Sequence, residues 1–362
     1  MAPVLAFPSM ARLDSGKGVA VLFNGRAKQV TPKVVRAMER ALPDALVLVS
    51  TDFDQARRHV ARISTEKPEL VLSGGGDGSV TLLLNLLREV GHGSFPVVGA
   101  LPLGTGNAWA NVTGAPRYGK LVRRLPVLPR PLPTQAFDLV EIEGRLCPFA
   151  GVGWDARVLN DYARNLDRRS SQLFGSRIAT RIHKGLGGYL YAISRLSVPE
   201  ETAEYRRDGP PRCELANLGD AAYIVDGRGK PIALATGEGA RSLYEGPVSV
   251  LGGATVPEFG FHFRAAPFAR DLPRHLNVRI YDRPVFEALR NLPKLWRGSF
   301  PLPGMHDFFV THAKVTFSRP IPFQIGGDAA GLRESLEYRL AQEVVEVVDW
   351  RGAEARASVS PS

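Results

Sequence analysis

Apolar and polar positions alternate in a regular way over the first third of the chain. Continuous apolar runs predict strands at 18–23, 45–50, 70–73 and 96–101. Amphipathic stretches between them predict helices to about residue 42 after Thr31-Pro32, to residue 63 after Asp52, and over 79–90. Such alternation is typical of a mostly parallel sheet covered by helices on both faces. Ligands of these sheets bind at the carboxyl ends of the strands.

The pattern changes after a proline-rich stretch at 126–135, which suits a stiff connector. Beyond it, runs with period-two character predict a larger β-rich, antiparallel domain, and only 155–195 has a helical, strongly basic pattern. The predicted domains are therefore 16–128, a nucleotide-binding α/β domain, and 136–350, a β-rich lipid-substrate domain. Whether the last strand returns to the first domain stays open.

Composition narrows the classes of protein. The 362 residues are 44% hydrophobic, enough for one large or two ordinary domains, and the net charge of +10 indicates an anionic partner. Two cysteines exclude a disulfide framework and a four-cysteine zinc site. No apolar run is long enough for a helix that spans a membrane, and the N-terminus lacks the basic start and apolar core of a signal peptide. We therefore expect a cytoplasmic protein.

The most informative segment reads Ser-Gly-Gly-Gly-Asp-Gly-Ser at 73–79, between a predicted strand and a predicted helix. Glycines allow positive φ and close approach of a ligand, and the helix N-terminus favours phosphate. Asp77 would then face the phosphates, where a carboxylate is useful if it binds Mg²⁺ or takes a proton. A plain glycine-rich turn with Asp77 as a helix cap is the alternative.

Other polar loops follow the ends of neighbouring strands. Leu-Pro-Leu-Gly-Thr-Gly-Asn at 101–107 follows the fourth strand, Asn24 and Arg26 follow the first, and Thr51 follows the second. Because parallel strands end at one edge, we expect these groups to lie together. A Pro/Gly turn is the alternative for each loop alone.

The paired Gly-Gly-Gly-Asp-Gly-Ser and Pro-Leu-Gly-Thr-Gly-Asn motifs resemble the catalytic domain shared by diacylglycerol kinases, sphingosine and ceramide kinases and bacterial lipid kinases. The resemblance runs from about residue 18 to 350. It implies a three-layer α/β nucleotide domain of the NAD kinase/diacylglycerol kinase type, a C-terminal β-sandwich, and ATP with Mg²⁺ as cofactors. The implied nucleotide-binding residues are Asn24, Arg26, Thr51, Gly75, Gly76, Asp77, Gly78, Ser79, Thr105, Gly106 and Asn107, with Asp77 holding the ATP-bound Mg²⁺.

The chain also departs from the family pattern. Asn24 precedes glycine where relatives have proline, and Asn107 precedes alanine where relatives often have aspartate. The catalytic Asp-Gly-Glu becomes Gly326-Gly327-Asp328, so the first acid is lost. Asp328 is therefore either the catalytic base or an ordinary turn residue. The acids of the structural Mg²⁺ site of bacterial relatives are replaced near 267–277, so we expect that second site to be absent.

The resemblance also places Asp155 near the lipid head group, and helix capping is the alternative for this residue. Two stretches hold the charge surplus: one between Glu89 and Asp138, and the segment 157–184, whose apolar positions recur at helical spacing. The second stretch fits either a helix on an anionic membrane or an ordinary packed surface helix.

The sequence thus predicts an ATP-dependent lipid kinase acting on a lipid hydroxyl, diacylglycerol first and a sphingoid base second. Asp77 and Asp328 are the candidate catalytic residues, and Asp155 is the candidate substrate contact. We expect a peripheral membrane protein that binds lipid and no nucleic acid, and a homodimer stays open. The alternatives are an NAD kinase-like enzyme and a nucleotide-binding regulatory protein without catalysis.

Overall fold

The computed structural model of the protein describes residues 13–91, 95–154, 156–157, 198–234, 241–260 and 262–359. The chain forms two compact units. Unit 1 comprises Met1–Phe137 and Val345–Ser362, and unit 2 comprises Asp138–Val344. The chain thus returns to unit 1 for its last segment.

Unit 1 is built on a parallel sheet. Its strands are β1 (Val19–Asn24), β2 (Leu46–Ser50), β3 (Leu70–Gly75) and β4 (Val97–Pro102), in the order β2-β1-β3-β4. The end of a long strand, Asp328–Val348, adds one parallel pairing beside β4 through Val347 and Val98. The strand ends meet at one edge, since Asn24 is in register with Ser50, and Gly75 with Pro102.

Helices cover both faces of this sheet. They are α1 (Pro32–Ala41), α2 (Phe53–Glu66), α3 (Asp77–Glu89), α4 (Ala108–Val112), α5 (Tyr118–Arg124), a 3₁₀ turn (Leu125–Val127) and α9 (Trp350–Val359). Alternate residues of β1 point to opposite faces. Val21 and Phe23 join a core with Met38 and Trp350, whereas Leu22 lies on the face covered by α2 and α3. Unit 1 is therefore the predicted three-layer α/β domain.

Unit 2 consists mainly of antiparallel strands. They are β5 (Thr134–Ile142, from Asp138 onward), β6 (Arg145–Cys147), β7 (Phe149–Gly153), β8 (Arg212–Asn217), β9 (Ala222–Val225), β10 (Pro231–Ala233), β11 (Ser242–Pro247), β12 (Val250–Ala254), β13 (Leu276–Tyr281), β14 (Met305–Val310), β15 (His312–Ile325) and β16 (Asp328–Val348, to Val344). Its helices are α6 (Val198–Asp208), α7 (Val285–Arg290) and α8 (Leu292–Trp296).

The long strand β15 connects two layers of unit 2. Its first half pairs with β8, its last residues pair with β7, and the register shifts in between. Buried residues from both halves, such as Val315 and Phe323, belong to one hydrophobic core with Val278 of β13. This arrangement confirms the predicted β-sandwich. Within the described residues, no helix has the length and apolar character needed to cross a membrane.

Candidate nucleotide-binding site

A cavity of about 220 Å³ opens in unit 1 where β1 and β2 end, against α2 and α3. Four of the predicted nucleotide-binding residues border it: Asn24, Arg26, Thr51 and Ser79. Apolar side chains, among them Leu22, Ala56, Leu82 and Leu83, form the rest of its wall. The fold therefore brings together groups that are up to 55 residues apart in the chain.

Asn24 organises the first loop. Its amide Nδ2 donates to the Ser79 hydroxyl oxygen at 3.1 Å, and its Oδ1 accepts from the Arg26 backbone N–H at 3.0 Å. The side chain thus ties β1 to α3 and turns the chain so that the exposed Arg26 follows at the cavity rim.

The second loop is shaped by the start of α2. Asp52 caps this helix, because its Oδ1 accepts from the Gln55 N–H at 2.8 Å. The Gln55 side chain in turn accepts from the backbone N–H and the hydroxyl of Thr51, at 3.0 and 3.1 Å. Thr51 is exposed and held in place at the cavity rim.

The glycine loop is tighter than the sequence predicts. Strand β3 runs through Gly75 and α3 begins at Asp77, so Gly76 alone separates them. None of Gly74, Gly75 and Gly76 has positive φ, so the loop does not use the backbone freedom that glycine allows. Close approach is what requires glycine: a Cβ on Gly74 would lie 2.2 Å from the Phe23 ring, and one on Gly75 would lie 2.2 Å from the Ser79 hydroxyl oxygen.

The second glycine loop lies directly against the first. A Cβ on Gly104 would lie 2.2 Å from the Cα of Gly76 and 2.9 Å from its nitrogen. Asn107, at φ 56°, closes this loop, accepting from the Gly104 N–H at 2.9 Å and donating to its carbonyl at 3.0 Å. Thr105 is exposed at the tip, and the Gly106 carbonyl accepts from Asn111 at 3.4 Å. The amide of Asn107 thus holds the loop.

Asp77 caps a helix, but not the one expected. Its Oδ1 accepts from the Trp109 N–H at 3.0 Å, so the carboxylate lies at the N-terminus of α4. Burial raises the pKa of Asp77, and the peptide N–H groups of Ala108 and Trp109 oppose this rise. Asp77 links the two glycine loops, and its raised pKa makes it a stronger proton acceptor than an ordinary aspartate.

The residues of this site fit a Mg²⁺ ion only if the phosphates of a bound nucleotide supply most of its ligands. Within the described ranges, no group of three histidine, cysteine, aspartate or glutamate residues is placed to hold a metal by itself. Mg²⁺ commonly binds proteins through one or two carboxylates and completes its shell with substrate phosphates and water. Asp77, which lies between the two glycine loops, would be the residue of unit 1 to supply such a carboxylate.

The two other predicted carboxylates are those of Asp328, which lies in unit 2, and Asp155. Asp328 begins β16 directly after a two-residue hairpin whose glycines, Gly326 and Gly327, both have positive φ, of 59° and 92°. The residue is exposed, yet nearby protein still shields its carboxyl enough to raise the pKa, which Arg145 opposes. Asp155 lies outside the described residues.

Ion pairs neutralise part of the basic charge that the sequence places in two stretches. In the first basic stretch, Lys120 and Arg124 lie 3.2 and 3.5 Å from Glu354, and Arg130 lies 3.7 Å from Glu69. This stretch is partly neutralised by acids that are distant in sequence. The second stretch, 157–184, falls outside the described residues except for Arg157, which pairs with Glu204 at 2.6 Å.

Three contributions to the site have no clear sequence signal. Gln29 donates to the Gly104 carbonyl at 2.8 Å, and Trp109 supplies the N–H that Asp77 accepts. Phe53 lines the cavity and stays 50% exposed. Only Phe53 could have been noticed, as a large apolar residue in the first turn of a helix at a ligand-binding edge.

Comparisons with known proteins agree with this geometry. Residues 18–131 match the family model of the diacylglycerol kinase catalytic domain, which confirms the resemblance over unit 1. The protein named "Probable lipid kinase YegS" from Salmonella dublin is 28% identical over 193 residues, which are 51% of this chain and 56% of that protein. The chain thus matches little more than half the length of this relative. A YegS-like protein of Cronobacter sakazakii is 27% identical over 233 residues, covering 60% of this chain and 68% of that protein.

The fold is also found in a solved structure. A diacylglycerol kinase from Bacillus anthracis superposes with a TM-score of 0.56 at 13% identity, covering 91% of this chain and 96% of that one. At this identity the likeness concerns the fold alone, and it confirms the predicted fold class.

Proposed function

We propose that the protein is a lipid kinase that transfers the γ-phosphoryl group of ATP to a lipid hydroxyl. One observation supports this most directly: a cavity bordered by Asn24, Arg26, Thr51 and Ser79 opens beside two glycine loops that touch at the N-terminus of α3. A helix N-terminus without nearby Cβ atoms is suited to phosphate groups. The cavity is smaller than the about 300 to 1,000 Å³ of whole-ligand pockets, so it suits the nucleoside part of ATP.

Each residue then has a distinct task. Leu22, Ala56 and Leu83 offer apolar contacts to a base, and Thr51 offers a hydroxyl at the rim. Arg26 offers positive charge to the phosphates, while the glycine loops let the phosphates approach the backbone. Phosphoryl transfer depends mainly on positioning and charge stabilisation. Mg²⁺, when bound with ATP, would neutralise charge on the phosphates, and Asp77 is the carboxylate in this unit that would orient it.

Diacylglycerol is the first proposed acceptor and a sphingoid base the second. The names of the relatives support a lipid, and they do not distinguish between these two hydroxyl compounds. Asp328 is proposed as the base that takes the proton of the attacking hydroxyl, supported by its exposed position and raised pKa. Asp155 is proposed as a contact to the lipid head group on the family resemblance alone.

The test is a transfer assay with separated products. The 362-residue chain is incubated with γ-labelled ATP, Mg²⁺ and a panel of diacylglycerol, sphingosine, ceramide and NAD, and the products are resolved by mass. We expect label in a phosphorylated lipid and none in NADP. Phosphorylation of NAD alone would favour the NAD kinase-like alternative. ATP binding without transfer to any acceptor would favour a regulatory protein.

Asn24 provides a sharper test of the nucleotide site. Asn24→Ala removes two hydrogen bonds that join β1, Arg26 and Ser79. Each bond stabilises the loop by about 0.5 to 1.5 kcal/mol, and ATP binding must then order the loop without them. Titration calorimetry should therefore show ATP binding that is weaker by about 5- to 150-fold. Asn217→Ala is the matched control, because it removes a similar local amide contact within unit 2. Equal ATP affinity of wild type and Asn24→Ala would contradict the assigned site.

A further inference from the structure

Two short helices of unit 2 expose aromatic rings next to unpaired positive charges. Phe286 on α7 is 61% exposed, and Trp296 at the end of α8 is 37% exposed. The inner sides of the same helices are buried: Val285 and Ala288 are covered, and Leu295 packs against a small core cluster. The buried sides hold the helices on the sandwich, which leaves the Phe286 ring and part of the Trp296 ring open to the surroundings.

Basic residues are frequent in the segment that carries these rings. Between 283 and 297 the chain carries four basic residues and one acidic residue, Glu287. Arg283 is paired with Asp282 at 3.1 Å. A neighbouring loop adds Arg264, whose N–H donates to the Trp296 carbonyl at 3.0 Å. In the described part of the chain, Arg264, Arg290, Lys294 and Arg297 are all exposed and have no carboxylate within 4.0 Å.

We propose that this surface docks the protein onto an anionic phospholipid bilayer. The docking surface consists of Phe286, Trp296, Arg264, Arg290, Lys294 and Arg297. Short amphipathic helices that present aromatic rings among arginine and lysine lie in the interface of anionic membranes. The rings enter the boundary between head groups and acyl chains, while the long basic side chains reach the phosphates.

Charge complementarity selects this occupant. Four cations without a carboxylate partner match a surface of many phosphates. The Trp296 ring packs at a tilt of 31° against Phe263, with centroids 5.2 Å apart, which gives it an apolar neighbour at the surface. The proposal gives the lipid kinase a way to reach a substrate inside a membrane and so rests on the proposed function for its purpose. Its test measures binding without ATP.

The experiment is co-sedimentation of the full chain with phosphatidylcholine vesicles that contain or lack phosphatidylserine. We expect binding to the anionic vesicles that weakens with salt, and little binding to the neutral ones. The triple variant Arg290→Gln, Lys294→Gln and Arg297→Gln should lower the partition coefficient by about 100-fold, at about fivefold for each charge. The double variant Phe286→Ser and Trp296→Ser should lower it at least about tenfold.

Matched variants elsewhere in unit 2 serve as controls. Arg206→Gln, Arg228→Gln and Lys314→Gln remove the same charge from other exposed positions, and Ile232→Ser removes an apolar side chain that is 45% exposed. These controls should bind anionic vesicles like the wild type. Loss of binding in the controls equal to that in the surface variants, or wild-type binding in the surface variants, would overturn the proposal.

Trp296 also reports insertion directly. Of the four tryptophans, Trp109 and Trp350 are fully buried and Trp154 is partly buried, which leaves Trp296 as the exposed one. Vesicles with brominated acyl chains should quench the wild-type fluorescence, and Trp296→Phe should remove most of this quenching while keeping a ring for binding. Unchanged quenching in Trp296→Phe would contradict insertion at this surface.

The two proposals can fail separately. A short-chain diacylglycerol dissolved as monomers needs no membrane, so the surface variants should phosphorylate it like the wild type. Vesicle binding as expected without phosphorylation of any lipid would refute the kinase and leave the docking surface standing. Phosphorylation of vesicle lipid by the surface variants at the wild-type rate would refute the docking surface alone.

Discussion

Asp77→Asn is expected to reduce phosphoryl transfer by about 100- to 1,000-fold while the protein stays folded. Removal of one well-placed electrostatic group from a catalytic site has an effect of this size. Asparagine keeps an oxygen that can accept from the Trp109 N–H, the bond that Asp77 makes at 3.0 Å. The substitution therefore removes the charge and the proton-accepting ability but preserves the cap of α4. Initial rates with γ-labelled ATP and diacylglycerol, beside thermal unfolding, measure the two effects.

Asp77→Ala separates the two roles of the residue. It leaves the Trp109 N–H without its partner and should lower the free energy of unfolding by about 1 to 3 kcal/mol in addition to abolishing transfer. Thr31→Ala is the matched control, since Thr31 caps α1 by accepting from the Val34 N–H at 3.3 Å. This control should lose about 1 kcal/mol of stability and keep its activity. An active Asp77→Asn enzyme would reduce Asp77 to a helix cap and refute its catalytic assignment.

Gly104→Ala is expected to disrupt the site from a position that has no functional group at all. The added Cβ would fall 2.2 Å from the Cα of Gly76, so the two glycine loops must move apart. Such overpacking costs about 1 to 3 kcal/mol, and a displacement near 1 Å of groups that position a reaction can cost about 100-fold in rate. Unfolding curves, ATP titration and transfer rates measure these losses.

Gly119→Ala is the control for this substitution. Gly119 lies exposed in α5, and a Cβ there would meet nothing within 4 Å. Alanine at this helical position should leave activity unchanged and leave stability unchanged or raise it by about 0.5 to 1 kcal/mol. If Gly104→Ala behaved like Gly119→Ala, contact between the two loops would not determine the geometry of the site.

Much of unit 1 could be predicted because its signals are local. Continuous apolar runs define β1 to β4, and the caps at Thr31 and Asp52 mark the starts of α1 and α2, where the structure has them. The sequence pattern does not predict the short helices α4 and α5, because five and seven residues are too few to show a helical period of apolar positions. The parallel order also explains why four polar loops meet at one edge.

The roles of single side chains were less predictable. The sequence predicts that Asp77 either caps the helix that it begins or faces the phosphates. In the structure its carboxylate accepts a hydrogen bond from the N–H of Trp109, 32 residues later. The sequence also gives no sign that the side chain of Asn107 is hydrogen-bonded to the backbone of Gly104. A side chain bonds to whatever the fold places within about 3 Å, and sequence spacing does not give that distance.

The sequence also does not show which basic side chains are paired with acidic ones. The sequence places a basic stretch at 117–130, but Lys120 and Arg124 lie close to Glu354, and Arg130 lies close to Glu69. The sequence does not indicate the exposed cations near Trp296, because they are spread from 264 to 297. Net charge is a sum along the chain, whereas a membrane or a phosphate responds to charges that are close together in space and unpaired.

The sequence by itself determined the α/β character of the first unit, the strand-rich second unit and the two glycine loops, because each depends on residues close together in the chain. Only the tertiary structure decided why residue 104 must be glycine, which helix Asp77 caps and which cations stay unpaired. Those facts depend on contacts between segments far apart in sequence. Close packing fixes the distances between these segments to within a few tenths of an ångström, and a local sequence pattern does not give such distances.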